Sequence, residues 1–308
     1  MQECFPLVSV TAISISGSDR LKWFNNLVTN DLKKLSDQQA VECFIADVKG
    51  RTLSHGIVVS DRESFVYVTW GRDQAAKLLP HLNRYIIREN VDLTDDSTRW
   101  QWSFIRRESL ASHLHDDRYL RLEAMAVESL GNSTSAIAIA CPAIGEDWLL
   151  VRSSFEDLDS KQLLEPMETE SPNDASEFDS RRIRNRWPRI GIDFDDKNLP
   201  QELARDVMAI SFNKGCYLGQ ETIARLDALG QVQKKLVLLS ISSSSVTSGN
   251  GLTSGAILKK DDKEAGVITS IAKIQDSDQF VALAYVRRAF FAVGTELDCL
   301  GHLAVVQT

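Results

Sequence analysis

The stretch FNKGCYLGQETIAR, residues 212–225, concentrates reactive and conformationally permissive residue types in one short segment. Cys216 follows a Lys–Gly pair, and Gly–Gln–Glu begins three residues after it. A thiol reacts as its thiolate, and a nearby cation or a helix N-terminus lowers its pKa. Lys214 supplies the cation, and the pattern predicts a helix from about Gly219 to a C-cap at Gly230. The segment therefore has two interpretations, a reactive thiol in a loop or a small buried side chain in a tight turn.

Three polar side chains of the predicted helix also have two interpretations. Glu221 and Arg225 stand four residues apart and could pair on one face, while the Gln220 amide could turn toward a ligand. The simpler alternative is an ordinary helix N-terminus, with an acid placed favourably against the helix dipole.

The chain after this helix predicts a small all-β domain. Short apolar or alternating runs begin at Lys234 and are separated by turns rich in Gly, Ser and Asp. Such spacing is typical of a barrel or sandwich, here of about six strands.

The chain before the motif mixes strands and helices. Alternation and helical spacing predict strands over 9–16, 41–47, 51–60 and 64–69, helices over 19–28 and 73–85, and further strands over 100–105, 136–141 and 147–151. Because strands follow one another directly, the order indicates an α+β fold rather than a doubly wound sheet.

An acidic segment followed by a basic one separates these two parts. Residues 155–167 could form a helix, and residues 168–180 have the composition of a linker or solvated loop. The run RRIRNRWPR, residues 181–189, could bind phosphate or carboxylate, with Trp187 stacking on a flat ring. It could equally be a surface strand that pairs with the acidic residues before it.

Bulk properties exclude several classes of protein. The 308 residues suggest two or three domains, and the formal net charge of -8 argues against nucleic-acid binding through bulk charge. No stretch approaches the ~20 apolar residues that span a bilayer, and the N-terminus has no signal-peptide pattern, so a cytoplasmic location is expected. Five scattered cysteines, with no CxxC or HExxH motif, predict neither a disulfide framework nor a metal site.

The motif resembles the signature of the YgfZ family, folate-binding relatives of the glycine-cleavage T-protein, an aminomethyltransferase. ISGSDRLKWFNNLVTNDL (15–32), DVKGRTLSHGIVV (47–59) and LPQEL (199–203) are similar to further family segments. The matching positions of the signature are Lys214, Gly215, Cys216, Tyr217, Gly219, Gln220, Glu221 and Arg225.

The resemblance implies an α+β fold of three T-protein-like domains in a ring, closed by a C-terminal β-barrel. It places the central folate-binding domain in residues 1–40 and 181–232, a second α+β domain in 41–155, an acidic helix or linker in 156–180 and the barrel in 233–308.

The resemblance also implies a protein that binds tetrahydrofolate and supports iron–sulfur enzymes transiently, including radical enzymes that modify transfer RNA. A monomer is expected. Direct contact with nucleic acid or membrane is not expected. Cys216 and Lys214 are the expected catalytic residues. The expected folate-binding residues are Asn30, Asp31, Gln201, Tyr217, Gln220, Glu221 and Arg225.

This sequence departs from the T-protein pattern where that enzyme keeps carboxylates. Ser54 and His55 stand at the catalytic acid register, and Arg184 stands where a glutamate holds the pterin. Guanidinium only donates hydrogen bonds, whereas pterin recognition needs an acceptor. Ala204 replaces a family asparagine.

Three functions stay open: an iron–sulfur accessory protein, a folate-dependent one-carbon transferase and a binding scaffold without chemistry. The departures from the T-protein pattern favour the first.

Overall fold

The first sheet contains five antiparallel strands from the N-terminal third of the chain. The computed structural model describes residues 4–61, 64–71, 74–130, 136–154, 172–230, 232–242, 252–275 and 277–307. In it the strand order is β3-β4-β5-β2-β6. The strands are β2 (Val10–Ser16), β3 (Ala40–Ala46), β4 (Thr52–Asp61), β5 (Ser64–Trp70) and β6 (Asp92–Asp95).

Two helices cover one face of this sheet. They are α1 (Arg20–Asn25) and α2 (Gln74–Asn83). Trp23 and Phe24 of α1 and Leu78 of α2 pack with Ile13 and Ile15 of β2 in one buried cluster. The alternation of β2 places these isoleucines on the helix side, as period-2 patterning requires.

The second sheet packs against the other face of the first. Its order is β1-β7-β10-β9-β8, and the helix α3 (Arg107–Leu114) follows β7. Ile57 and Val68 of the first sheet and Phe104 and Leu150 of the second belong to one shared core. The strands are β1 (Cys4–Pro6), β7 (Trp100–Arg106), β8 (Val127–Ser129), β9 (Ile137–Ile139) and β10 (Trp148–Ser154).

The segment that joins the sheets to the barrel carries a helix where a linker was expected. Residues 168–180 were predicted as a solvated loop, but α4 (Pro172–Arg184) is helical through Ser180. Proline suits a first helical position, because that N–H needs no partner within the helix. Ile183 then packs on the barrel, which stabilises the helix by tertiary contact. Residues 155–171, which include the helix predicted over 155–167 and the first four residues of the predicted loop, lie outside the described residues.

The basic run ends α4 and forms the turn after it, so the predicted surface strand is wrong. Its expected ion pairs with the acidic segment are present: Arg181 pairs with Glu177, and Arg182 with Asp179. Shorter helical elements then lead to the motif. They are a 3-10 helix at Pro200–Leu203, α5 (Asp206–Ala209) and α6 (Gln220–Leu229), which ends at a left-handed Gly230 as predicted.

The last part of the chain is a closed six-stranded barrel in the order β11-β14-β13-β12-β15-β16. Its interior is apolar and includes Leu239, Ile268 and Ala304. The strands are β11 (Lys234–Ser242), β12 (Ile257–Lys260), β13 (Lys263–Lys273), β14 (Gln279–Arg287), β15 (Glu296–Cys299) and β16 (His302–Val306). The predicted barrel is confirmed.

The structure bears on two further predictions, the end of one helix and the position of one domain boundary. The helix predicted over 19–28 ends at Asn25. The domain division at residue 40 stays a prediction, although β2 lies before that boundary and pairs with β5 and β6 beyond it. In the segments that the structure describes, no helix combines the length and apolarity needed to cross a bilayer.

Candidate functional site

The motif cysteine lies on an exposed loop between α5 and α6. Cys216 is exposed, whereas Cys43, Cys141 and Cys299 are buried and Cys4 is half-buried. Burial raises the pKa of Cys4 to about 11 and that of Cys141 to about 12, which keeps these thiols protonated. Cys216 is therefore the thiol that a partner or reagent can reach directly.

Lys214 anchors this loop to the N-terminal part of the chain. Its Nζ donates to the backbone oxygens of Asn25, Val28 and Asn30 at 2.5, 2.8 and 2.6 Å. An ammonium has three N–H donors, so none remains for the Cys216 thiolate. Burial lowers the pKa of Lys214 to about 8. The side chain predicted to activate the thiol instead fixes the loop that carries it.

The predicted folate residues Asn30 and Asp31 form the platform under the loop. The Asn30 Nδ2 donates to the backbone oxygens of Glu42 and Met208 at 2.8 and 2.9 Å. Its Oδ1 accepts from the Asp31 N–H, and Asp31 Oδ1 accepts from the Lys33 N–H. The Asn30 side chain thus holds backbone segments together, whereas Asp31 caps the short 3-10 helix Leu32–Lys34.

Two glycines let the β3–β4 turn approach the start of α6. Gly219 has φ +78°, and a Cβ added there would lie 2.5 Å from the Asp47 oxygen and 2.8 Å from the Gly50 Cα. Only glycine permits this contact without strain. The turn and the signature, both similar to YgfZ-family segments, therefore meet in space.

Gln201 and Tyr217 are buried rather than open to a ligand. The Gln201 Nε2 donates to the Ile223 oxygen at 2.6 Å, and within the described chain its Oε1 has no partner. Tyr217 packs with Phe44 and Ile223, and burial raises its pKa to about 12.

The polar residues of α6 lie at its surface. Glu221 and Arg225 are exposed and Gln220 is half-buried. Among the described residues, Glu221 and Arg225 form no ion pair with each other, and both are exposed.

A buried charged group that the sequence did not reveal lies where the first sheet meets the segment after α4. His55 Nε2 lies 2.7 Å from Glu42 Oε1, which also accepts from Arg205 Nε at 2.7 Å. A second Arg205 nitrogen donates to Glu42 Oε2. Burial lowers the pKa of His55, so the neutral imidazole donates to the carboxylate and Arg205 is its counter-ion. A lone acid inside the apolar run AVECFIA (40–46) was the available signal for this group.

The Trp187 ring covers this group. It stacks on Trp70 with centroids 5.0 Å apart and planes at 11°, and its centroid is 4.7 Å from that of His55. The Arg205 guanidinium lies over the Trp187 ring at 5.2 Å. The flat ring that Trp187 was expected to meet is therefore a side chain of the protein itself.

Ser54 and His55, at the register of the T-protein acids, are both buried and engaged. Ser54 Oγ accepts from the Tyr67 hydroxyl at 2.8 Å, and His55 contacts Glu42. Arg184, at the position of the pterin-binding glutamate, is exposed at the end of α4. Within the described chain, no group of three or more His, Cys, Asp or Glu side chains has a metal-binding arrangement.

A cleft of about 430 Å³ adjoins the motif loop through Leu218 and is otherwise formed by α1 and the turn after α2. A second cleft of about 620 Å³ lies among residues 116–128. Neither is lined by the predicted folate residues.

Comparison with known proteins supports the resemblance on which these expectations rest. No family model matches the chain. Over its whole length the fold is similar to that of the glycine cleavage system aminomethyltransferase T from Bartonella henselae, with a TM-score of 0.79 at 16% identity, covering 99% of this chain and 84% of that one. The molecule thus has the aminomethyltransferase T-protein fold.

Two curated proteins are similar to this chain in sequence. The chain is 25% identical over 299 residues to the tRNA-modifying protein YgfZ of Yersinia pseudotuberculosis, covering 95% of this chain and 88% of that protein. It is also 25% identical over 245 residues to a mitochondrial iron-sulfur cluster assembly factor IBA57 homolog of Neurospora crassa. That match covers 75% of this chain and 52% of the homolog. The resemblance to the YgfZ family is confirmed.

Proposed function

We propose that this chain assists iron–sulfur enzymes, including enzymes that modify transfer RNA, and that Cys216 is its working thiol. The names of the YgfZ and IBA57 relatives support the iron–sulfur and transfer-RNA connection. An accessible thiolate is a suitable transient ligand for iron. We expect the partner enzyme to supply the remaining ligands, and expect the chain to be a cytoplasmic monomer.

The observation that carries this proposal is the setting of Cys216. The thiol is exposed, yet its loop is fixed by the three hydrogen bonds of Lys214 and by the close contact of Gly219 with the β3–β4 turn. A thiol that merely fills space would be buried, as Cys43 and Cys141 are. An open thiol on a rigid loop is preorganised for a partner.

Complementation tests the proposal. A strain that lacks its own YgfZ-type protein receives the wild-type chain or Cys216→Ser, and the readouts are growth and the level of an iron–sulfur-dependent transfer-RNA modification. We expect rescue by the wild type and loss of rescue with Cys216→Ser, at equal protein level and equal melting temperature.

Cys4→Ser is the matched control, because Cys4 is half-buried and far from the motif in sequence. It should rescue like the wild type. Equal rescue by Cys216→Ser would show that the thiol has no part in the function.

The structure gives no specific support to a one-carbon transferase. The carboxylate nearest the expected catalytic register is Glu42, and both of its oxygens are committed to His55 and Arg205. A general base must be able to reach and accept a substrate proton.

Of the residues expected to bind tetrahydrofolate, Asn30, Gln201 and Tyr217 are engaged within the protein. Glu221 and Arg225 of the same set are exposed, and folate binding stays a prediction.

A further inference from the structure

Three apolar side chains are exposed on the segment that leads into the motif loop. Val207 is 89% exposed, Met208 50% and Phe212 39%. Val207 and Met208 lie on α5, whose Ala209 packs in a buried cluster with Phe44. Exposed apolar side chains are ordinary when they are scattered singly, whereas a contiguous group marks a site of interaction. The question is therefore whether these three side chains share one surface.

The loop over residues 211–218 is tied at both ends to residues 25–30. The first N–H of the loop donates to a backbone oxygen of this segment at 3.0 Å, and the last N–H does so at 2.9 Å. The oxygen of Met208 accepts from a side-chain amide of the same segment at 2.9 Å. Phe212 and Cys216 stand between the two ties and are both exposed. The three apolar side chains and the thiol thus border one strip of chain, and we call them the Cys216 face: Val207, Met208, Phe212 and Cys216.

Lysines border this face on one side. Lys33 and Lys34 follow the same strip of chain in a short 3-10 helix, and both are exposed. Burial lowers the pKa of Lys214 to about 8, and the charge of the nearby Lys33 acts in the same direction, so Lys33 lies close to the base of the loop. Two half-buried acids are near them. Asp31 accepts from the Lys33 N–H, and Asp206 begins α5.

The β3–β4 turn adds cations where the loop meets α6. Lys49 and Arg51 are exposed, and the backbone N–H groups of both donate to Asp47 Oδ1 at 2.8 Å. Glu221 and Arg225 of α6 contribute one exposed charge of each sign. Among the described residues around the loop, the exposed charges are therefore mostly cationic, although the whole chain carries a formal net charge of -8.

We infer that the Cys216 face is the docking surface for a protein whose contact area is apolar at its centre and acidic at its edge. The inference rests on the proposed function, which makes the occupant the iron–sulfur protein that Cys216 serves. Interface centres favour Met and aromatic side chains, and complementary charges at the rim steer the encounter. A partner of this kind would bring its iron site to the thiol.

Two other occupants fit this face less well. A second copy of the chain would place the same cations against each other, because a two-fold interface pairs a surface with itself. A nucleic acid would be attracted by the cations but would leave the aliphatic side chains of α5 without a partner. The acidic protein satisfies both the apolar centre and the cationic border.

The cationic border is tested with two disulfide reagents on the full-length chain. Dithiobis-nitrobenzoate is anionic and cystamine is cationic, and both react with the same Cys216 thiolate. Cations near the thiol attract the first reagent and repel the second, and salt screens both effects. The ratio of the two rates should therefore fall at least about threefold between about 0.02 M and 0.5 M salt. Cys216→Ser assigns the Cys216 phase, because that phase disappears in it.

A charge variant shows whether the lysines cause this dependence on salt. Lys33→Glu/Lys34→Glu should make the ratio nearly independent of salt. Lys259→Glu/Lys263→Glu is the matched control, because both lysines are exposed on the barrel, and it should behave like the wild type. A wild-type ratio that does not fall with salt, or an unchanged ratio in the first variant, would overturn the inference.

The apolar centre is tested by Val207→Asp in the deletion strain. Because Val207 is exposed, the variant should keep its melting temperature and its rate of labelling by neutral iodoacetamide. The added carboxylate repels an acidic partner, so the level of the transfer-RNA modification should fall at least about fivefold. Val293→Asp is the control, because Val293 is also exposed, between β14 and β15, and it should rescue like the wild type. Equal rescue by the two variants would overturn the inference.

A photo-reactive amino acid at position 207 identifies the occupant in the same strain. We expect an adduct with an iron–sulfur protein, joined through an acidic segment of that protein. An adduct with a second copy of the chain or with RNA would overturn the inference. So would an adduct from position 207 that is no stronger than the one from position 293.

The proposed function and this inference fail in different ways. If the wild type rescues and Cys216→Ser does not, full rescue by Val207→Asp removes the docking surface and leaves the role of the thiol intact. A wild-type chain that does not rescue removes both.

Discussion

Lys214 joins two segments that are about 190 residues apart in the chain, since its ammonium binds the carbonyl oxygens of Asn25, Val28 and Asn30. Substitution Lys214→Met keeps the apolar stem and leaves these oxygens without their donor. We expect it to lower the free energy of unfolding by about 2 kcal/mol, because unpaired buried acceptors carry a desolvation penalty. Urea unfolding measures this loss.

The same variant should also change the behaviour of Cys216. With the anchor removed, the loop becomes more mobile, and labelling by a thiol reagent at pH 7 should become faster. Lys33→Met is the control, because Lys33 is exposed on the neighbouring segment, and it should alter stability by less than about 0.5 kcal/mol. Unchanged stability and labelling of Lys214→Met would show that the carbonyl contacts do not hold the loop.

At this scale the sequence predicted the residues better than their roles. The motif singled out Lys214 and Cys216, and Cys216 is exposed as a reactive thiol must be. The direction of the lysine was wrong, because two residues of separation do not determine which way a long side chain extends. Glu42 and Arg205 were missed for a related reason. They are 163 residues apart, and only the tertiary fold makes them partners.

The contact between the start of α6 and the β3–β4 turn gives a prediction for an element. Gly219→Ala places a Cβ 2.5 Å from the Asp47 oxygen in a left-handed conformation. We expect a loss of about 3 kcal/mol, the sum of backbone strain and a clash with main chain. Chemical unfolding of the variant measures the loss, and Cys216 labelling reports displacement of the loop.

Gly230→Ala is a matched control for this prediction. Gly230 ends the same helix with φ +60°, but a Cβ there meets nothing within 4 Å. It should cost only the strain of the left-handed conformation, about 1 kcal/mol. Equal losses for the two variants would mean that the approach of α6 to the turn contributes nothing.

Element prediction succeeded where local pattern and tertiary environment agree. The strands β2 to β5 of the first sheet and the strands β11 to β14 of the barrel were found within a few residues, whereas β15 and β16 were predicted only as part of a domain of about six strands. The helix α4 was missed because residues 168–180 are polar and contain Pro172. Its stability comes from Ile183 packing on the barrel, a contact with no local signal.

Two polar groups connect the large parts of the whole molecule. Arg182 of α4 donates to Asp193 at 2.9 Å and to Ser270 of the barrel at 2.8 Å. The Glu42–His55–Arg205 group connects the first sheet to the segment after α4. Buried charges of this kind are costly to separate, so the parts should unfold together rather than independently.

Glu42→Gln tests the contribution of the central group to the stability of the whole molecule. The amide keeps the size of the side chain but leaves Arg205 buried without its counter-ion. We expect a loss of about 3 to 5 kcal/mol at pH 7, measured by urea unfolding. Glu264→Gln is the control, because its exposed pair with Arg287 on the barrel is worth less than about 1 kcal/mol.

The difference between Glu42→Gln and the wild type should also depend on pH. Burial alone would raise the pKa of Glu42, but hydrogen bonds from Arg205 and His55 outweigh it and hold that pKa below its ordinary value of 4.5. Unfolded chains therefore take up this proton at a pH where the folded protein does not. The stabilisation is complete above pH 4.5 and declines as the pH falls through the folded-state pKa. The advantage of the wild type over Glu42→Gln should accordingly decrease as the pH falls from 5 to 3. Other acids titrate in both proteins and largely cancel in the difference, and His55 titrates in the unfolded chain above this range. A difference that stays constant from pH 5 to pH 3 would show that the Glu42 carboxylate is not held charged by its two partners.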